Sequence, residues 1–172
     1  YIYVKYADPK KMFYHVVVVD AGHGGKDSGA VGNGYSEKNM TLKIVQSIKS
    51  NFDKNSSYKV YYTRLSDWYP SLSHINSSDS SSSKGTETLY KTYKSYAQTL
   101  QSSALTGMGY ASNSSYNRGL KYRSDLAVLN GPKMTTALVE LGFISNKTEA
   151  SRINSRTSTI GYNLYKAICN SF

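Results

Sequence analysis

The chain is poor in cysteine, in charge and in long apolar runs. Its 172 residues contain one cysteine, Cys169, which excludes an internal disulfide framework and any metal site built on several thiolates. That thiol follows the apolar spacing Ile160, Leu164, Ile168 of an expected C-terminal helix and reads as a small core residue. No apolar run approaches the roughly 20 residues of a membrane-spanning helix, so neither a span nor a signal peptide is expected in this sequence. The opening YIYVKYADPKK lacks an initiator Met and reads as the cut end of a mature or excised domain. Charged residues make up only 19% of the chain, so Ser, Thr, Asn and Tyr must wet most of the surface. Phenylalanine is scarce beside tyrosine, 4 against 17, and an apolar ring with a polar tip suits surfaces that meet polymers.

What is present describes one folded domain. Hydrophobic residues at 39% exclude a wholly disordered chain, and the length allows a core that folds unaided. Lys and Arg number 21 against 11 Asp and Glu, a formal charge of +10. The basic residues are scattered, with no run of five or six and no zinc-finger spacing. That pattern favours a solvated surface first and attraction to a polyanionic matrix second, ahead of sequence-specific nucleic-acid binding.

Strand and helix signals alternate along the chain. Residues 15–20, HVVVVD, read as a strand buried on both faces that runs into a glycine-rich turn. Residues 36–52 carry Met40, Ile44 and Ile48 at helical spacing, with Ser36 as N-cap and Glu37 at the positive end of the helix dipole. Strands are expected at Tyr58–Thr63, Lys84–Tyr90, Ala127–Leu129 and Thr136–Leu141, and a helix over 91–106. Ala111–Asn117 reads as a polar loop, and a helix capped by Ser145 or Asn146 follows the last strand. The expected fold class is α/β: a single domain with a mostly parallel, twisted sheet flanked by helices on both faces.

The chemistry gathers at strand ends. His23 stands in Ala-Gly-His-Gly-Gly directly after a buried strand, where ligand sites of open α/β sheets lie. Glu37 opens the next helix, and the loop between them, KDSGAVGNGYS, is long and glycine-rich enough to fold the carboxylate back over the strand end. One nitrogen and one oxygen donor suit zinc, although two residues alone leave open a turn histidine and a cap glutamate. His74 is the candidate third ligand. His15, at the wrong end of its strand, reads as structural. Glu140 ends an apolar strand in LVELGFISN, so it is either a costly buried charge or a general base that takes a proton from water and returns it to a leaving amine.

Several of these segments together resemble the zinc-dependent N-acetylmuramoyl-L-alanine amidases of bacterial cell-wall remodelling. They are VVVVDAGHGGKDSGAVGNGYSEKNMTLKI, KVYYTR, SHIN, KGTETLY, RGLKYRSDLAVLN and TALVELGFISNKTEASRI, in that order and over about residues 15–170. The resemblance implies a lead-in over residues 1–14 and a catalytic domain over 15–172. It implies one zinc ion on His23, Glu37 and His74 with an open position for water, and Glu140 as the catalytic glutamate. Arg118, Arg123 and Glu87 are candidates for binding substrate, the arginines by pairing with stem-peptide carboxylates. The implied reaction is hydrolysis of the amide between N-acetylmuramic acid and the L-alanine of the stem peptide. Peptidoglycan is the implied partner and the bacterial cell wall or exterior the implied location. Anionic wall polymers are a further partner suggested by the charge, and a monomer with no nucleic-acid partner is expected.

The chain departs from the family between Arg64 and His74. The resemblance calls for a helix and a core strand there, but nine residues, LSDWYPSLS, intervene. They span at most about 30 Å, too little for both elements, so either a segment is missing near 73–74, which is the expectation, or the sheet has lost a strand. Two other functions compete with the amidase reading. A related-fold zinc peptidase or carboxypeptidase would not free an L-alanine amino terminus from muramic acid. A non-catalytic wall-binding module would have no use for His23, Glu37 and Glu140 together.

Overall fold

The structure is a computed structural model that describes residues 15–68 and 82–172. Strand β1 (His15–Val19) runs parallel to β4 (Tyr58–Tyr62), with Val17 opposite Val60. Between them come a two-residue hairpin pair, β2 (Val31–Gly32) and β3 (Tyr35–Ser36), and helix α1 (Glu37–Phe52). The second half of the chain builds a three-stranded sheet in the order β6 (Asn117–Tyr122), β5 (Thr86–Tyr90), β7 (Ala137–Glu140). The β5–β6 pair is parallel and the β5–β7 pair antiparallel. Helices α2 (Lys94–Met108), α3 (Ala127–Asn130), α4 (Lys147–Ser155) and α5 (Thr157–Cys169) complete the α/β layering.

The core forms where period-two and period-3.6 patterns meet. Val17 and Val19 of β1 pack with Met40, Ile44 and Ile48 of α1 and with Ile160 and Leu164 of α5, all buried. Helix α5 packs against both α1 and α2. Two close approaches make this packing possible: a Cβ at Gly161 would collide with the Ser47 side chain, and one at Gly107 would stand 2.8 Å from the Ile160 Cα. Helix α1 is entered from Ser36 in extended backbone, without a side-chain cap bond. Asn146 caps α4, its Oδ1 accepting from the amides of Thr148 and Glu149.

Three local expectations change. Strand β1 is buried on one face only: Val16 and Val18 are each 49% exposed. Among the described residues the three long helices gather on the Val17 and Val19 side, so nothing covers the other face of β1. Ala127–Leu129 is helix rather than strand, because a three-residue apolar run carries no period. Its turn is closed by the Asn130 and Gly131 amides donating to Leu126 and Ala127 carbonyls. Residues 117–122, expected as loop and uncommitted chain, form β6, an edge strand whose exposed side chains give no alternating apolar signal.

The two sheets do not join. Among the described residues β1 pairs only with β4, and β7 only with β5. Between them lies a cleft of about 800 Å³ lined by Val16–Val19 on one side and Ala137–Glu140 on the other. His74 and the 73–74 junction lie outside the described residues.

Candidate metal and hydrolase site

The carboxyl end of β1 leads through Asp20, Ala21 and Gly22 into His23, whose backbone sits at φ 62°. This left-handed conformation is uncommon for a residue with a side chain and costs of order 1 kcal/mol or more. The strained turn is fixed on the next residues by reciprocal amide bonds between Gly24 and Asp27, at 2.8 and 3.0 Å. The turn buries the imidazole, which is 4% exposed.

Both ring nitrogens then have defined surroundings. Nδ1 lies 2.9 Å from Asp27 Oδ2, and Asp27 Oδ1 accepts from the Gly29 amide at 3.0 Å. Nε2 faces Glu37 Oε2 at 3.3 Å, outside hydrogen-bond geometry, and is a buried nitrogen without a hydrogen-bond partner among the described residues. Glu37 is itself oriented, its Oε2 accepting from the Ala30 amide at 2.9 Å. The closeness of Glu37, then of Asp27, pushes the His23 pKa up to about 9 against the opposing effect of burial. Gly29 leaves the two side chains room to converge: a Cβ there would stand 2.7 Å from His23 Cδ2 and 2.8 Å from Glu37 Oε2.

An orphaned imidazole nitrogen beside a carboxylate oxygen, with the other ring nitrogen held by a second carboxylate, fits the coordination chemistry of zinc. These residues supply two donors. No group of three or more His, Cys, Asp or Glu among the described residues is arranged to hold a metal.

Glu140, at the end of β7, lies directly across the antiparallel pair from Glu87. Both line the cleft, as does Glu37. Burial first, then the negative charges of Glu37 and Glu87, push the Glu140 pKa up to about 7, while His23 opposes the rise. A carboxylate poised there suits a general base near neutral pH. Glu87 is paired elsewhere: it accepts from Arg118 Nε at 2.8 Å, and the Arg118 guanidinium lies 5.0 Å over the Phe143 ring. Arg123 is held in bidentate fashion by Asp125, at 2.8 and 2.7 Å. Both arginines therefore enter any substrate complex already engaged with a carboxylate of this chain.

His15 stays apart from this chemistry, its ring 5.0 Å from Tyr58 and 4.5 Å from Phe172. Cys169 is free and half-buried at the edge of the core. The sequence reading missed Asp27, which holds His23, Gly29, which lies against His23 and Glu37, and Arg64, which bonds to the carbonyls of residues beside them. Asp27, four residues after a histidine inside a glycine turn, was the one readable signal.

The chain is similar to known proteins of one family. The sequence pattern described as N-acetylmuramoyl-L-alanine amidase matches residues 17–73 and 73–170. The chain is 31% identical over 160 residues to the N-acetylmuramoyl-L-alanine amidase LytC of Bacillus subtilis, covering 80% of this chain and 31% of LytC. It is 35% identical over 157 residues to the endolysin of Bacillus phage SPP1, covering 79% of this chain and 57% of the endolysin. It therefore spans less than two thirds of either relative. The fold matches the catalytic domain of CwlV, an N-acetylmuramoyl-L-alanine amidase from Bacillus (Paenibacillus) polymyxa var. colistinus, with a TM-score of 0.82 and 29% identity over 91% of this chain and 97% of that one. With nearly its whole length matched, the chain belongs to the N-acetylmuramoyl-L-alanine amidase family.

Proposed function

We propose that the protein hydrolyses the amide between N-acetylmuramic acid and the L-alanine of the peptidoglycan stem peptide. The observation that carries this reading is the convergence of His23 Nε2 and Glu37 Oε2, 3.3 Å apart, with Glu37 and Glu140 lining the same cleft. One zinc ion would be held by His23, Glu37 and His74. When bound there, zinc supplies a Lewis acid for the amide carbonyl and lowers the pKa of water toward about 7. Asp27 keeps the His23 ring turned toward Glu37. Glu140 accepts the proton of the attacking water and delivers it to the leaving nitrogen of L-alanine, and its raised pKa suits both transfers. Glu87 and Arg123 line the same cleft, and Arg118 holds Glu87 from beside it.

The site of action is the bacterial cell wall, with the protein working as a monomer. The relatives' names, a cell-wall amidase class and a phage endolysin, support that placement. No helix among the described residues is long and apolar enough to cross a membrane. The net charge of +10 favours anionic wall polymers as a second contact. Residues 15–172 form the catalytic domain and residues 1–14 lead into it. A segment of the family's domain is missing near 73–74; the interrupted family match and the open cleft between β1 and β7 support this.

The test is product analysis on a muramyl peptide with zinc supplied. A new L-alanine amino terminus is expected, and release of any other bond would overturn the assignment. Glu140→Gln should keep zinc and lose about 10²–10⁴-fold in turnover, the usual contribution of general acid–base catalysis.

A further inference from the structure

Among the described residues the buried arginine after β4 has no carboxylate partner in hydrogen-bond contact, and four of its five acceptors fall on two other segments. Arg64 is 3% exposed. Its Nε donates to the Ala21 carbonyl at 2.9 Å, and Nη2 to the Gly22 carbonyl at 3.0 Å. Nη2 also reaches the Lys38 carbonyl at 2.7 Å and Thr41 Oγ1 at 3.0 Å. Nη1 donates to the Ser66 carbonyl at 3.2 Å. Ala21 and Gly22 immediately precede His23, and Lys38 immediately follows Glu37. The hydroxyl of Thr41, one turn into α1, closes the same link by donating to the Gly22 carbonyl at 2.7 Å.

We propose that Arg64 is a positioning residue that locks the His23 turn to the first turn of α1, and so sets the separation of the His23 and Glu37 side chains. The inference rests on the reading of those two residues as zinc ligands. Three features point to positioning rather than to space filling. The acceptors are carbonyls on both ligand-bearing segments, 43 and 26 residues away in sequence, so one planar side chain spans a distance that no local turn could fix. His23 occupies strained left-handed backbone, which persists only where its neighbours are pinned, and Arg64 takes the two carbonyls just before it. The Arg64 side chain passes close to Gly24, where a Cβ would stand 3.0 Å from Arg64 Nε. A lysine could carry the charge but has no rigid fork of donors in one plane.

The test uses Arg64→Lys, which keeps the charge, and Thr41→Val, which removes the second leg of the link. After removal of metal, zinc affinity is measured at 20 °C by competition with a chromogenic chelator, and circular dichroism reports whether each variant is folded. Arg64→Lys should remain folded and bind zinc about 10–100-fold more weakly, the usual effect of losing a group that orients metal ligands. Thr41→Val should show a smaller loss of the same sign. A folded Arg64→Lys with wild-type zinc affinity would overturn the proposal, whatever its melting temperature. Should Arg64→Lys fail to fold, Thr41→Val decides: weakened zinc binding supports the link and unchanged binding refutes it. Wild-type protein that binds no zinc would instead remove the ligand assignment, and the link's purpose with it.

Discussion

Glu140 and Glu87 are cross-strand partners in the antiparallel β5–β7 pair, two carboxylates on neighbouring strands at the cleft. Arg118 pairs with Glu87, while burial first, and then the charges of Glu37 and Glu87, hold Glu140 above its ordinary pKa. The consequence is a pH-dependent cost in the metal-free protein. The folded Glu140 pKa of about 7 lies above its ordinary 4.5, so the native state holds more protons than the unfolded chain between those values. Stability should fall as pH rises from about 4.5 to 7, and the penalty should persist above 7. In the presence of chelator, Glu140→Gln should therefore melt higher than wild type at pH 8, by up to about 3 kcal/mol of stability, and match it at pH 4. Thermal melts across that range check this, and a gap that does not vary with pH would show that Glu140 is not held above its ordinary pKa.

Asp27 is expected to govern the metal through the far side of the imidazole. Its Oδ2 holds His23 Nδ1 at 2.9 Å and its Oδ1 holds the Gly29 amide at 3.0 Å. Asp27→Ala releases both the ring and the glycine that lies against it. Zinc affinity should drop about 10–100-fold, with a smaller drop for Asp27→Asn, which retains an acceptor but not the charge. Calorimetric titration of the metal-stripped variants measures both, and an unchanged affinity in Asp27→Ala would make its contact with His23 incidental.

Much of this site could be read from the chain because its signals are local. A β-branched run, a glycine turn holding His23 and an acid at the first helical position are all contiguous patterns. Glu140 stood out as a carboxylate ending an apolar strand. The supporting residues were not legible for the opposite reason. Arg64 meets Ala21 across 43 residues, and nothing in Thr-Arg-Leu foretells five carbonyl and hydroxyl acceptors. Asp27 matters only because His23 adopts left-handed backbone and turns its ring back. Helix α3 was misread because a short apolar run shows no period, and β6 was missed because an edge strand with exposed side chains has no buried face to reveal it.

Glu149 is expected to be the costliest carboxylate to remove outside the site. It is fully buried at the start of α4, where Oε1 accepts from the Gly85 amide at 2.8 Å and Oε2 from the Phe143 amide at 2.9 Å. It thereby joins the entry to β5 with the loop that leaves β7, the two strands that carry Glu87 and Glu140. Glu149→Ala would strand two buried amides and leave a small cavity, a loss of about 2–5 kcal/mol. Glu149→Gln keeps the shape and one acceptor and should lose less. Urea unfolding of the two variants measures the difference, and a loss under about 1 kcal/mol for Glu149→Ala would mean that water replaces the carboxylate there.

Strands β1 and β7 each pair on one side only among the described residues, and the cleft between them is lined by Val16, Val18, Leu138 and Val139, the first two exposed. A sheet interior of β-branched residues left open to water is a large loss of apolar burial, at about 25 cal/mol for each Å² exposed. Two unpaired strand edges also present backbone donors and acceptors that demand partners. One additional strand would satisfy both demands, and the family match is interrupted at residue 73, within the connection from β4 to β5. The protein made in its own cell should therefore carry extra residues in that connection. Trypsin gives a direct reading, because no Lys or Arg lies between Arg64 and Lys84. A continuous chain must release the 20-residue peptide Leu65–Lys84 at its calculated mass. Its absence is expected, with new peptides beginning at Leu65 and ending at Lys84 that together are longer. Recovery of the intact 65–84 peptide would show the chain to be continuous, and the cleft would then be a real feature of this protein.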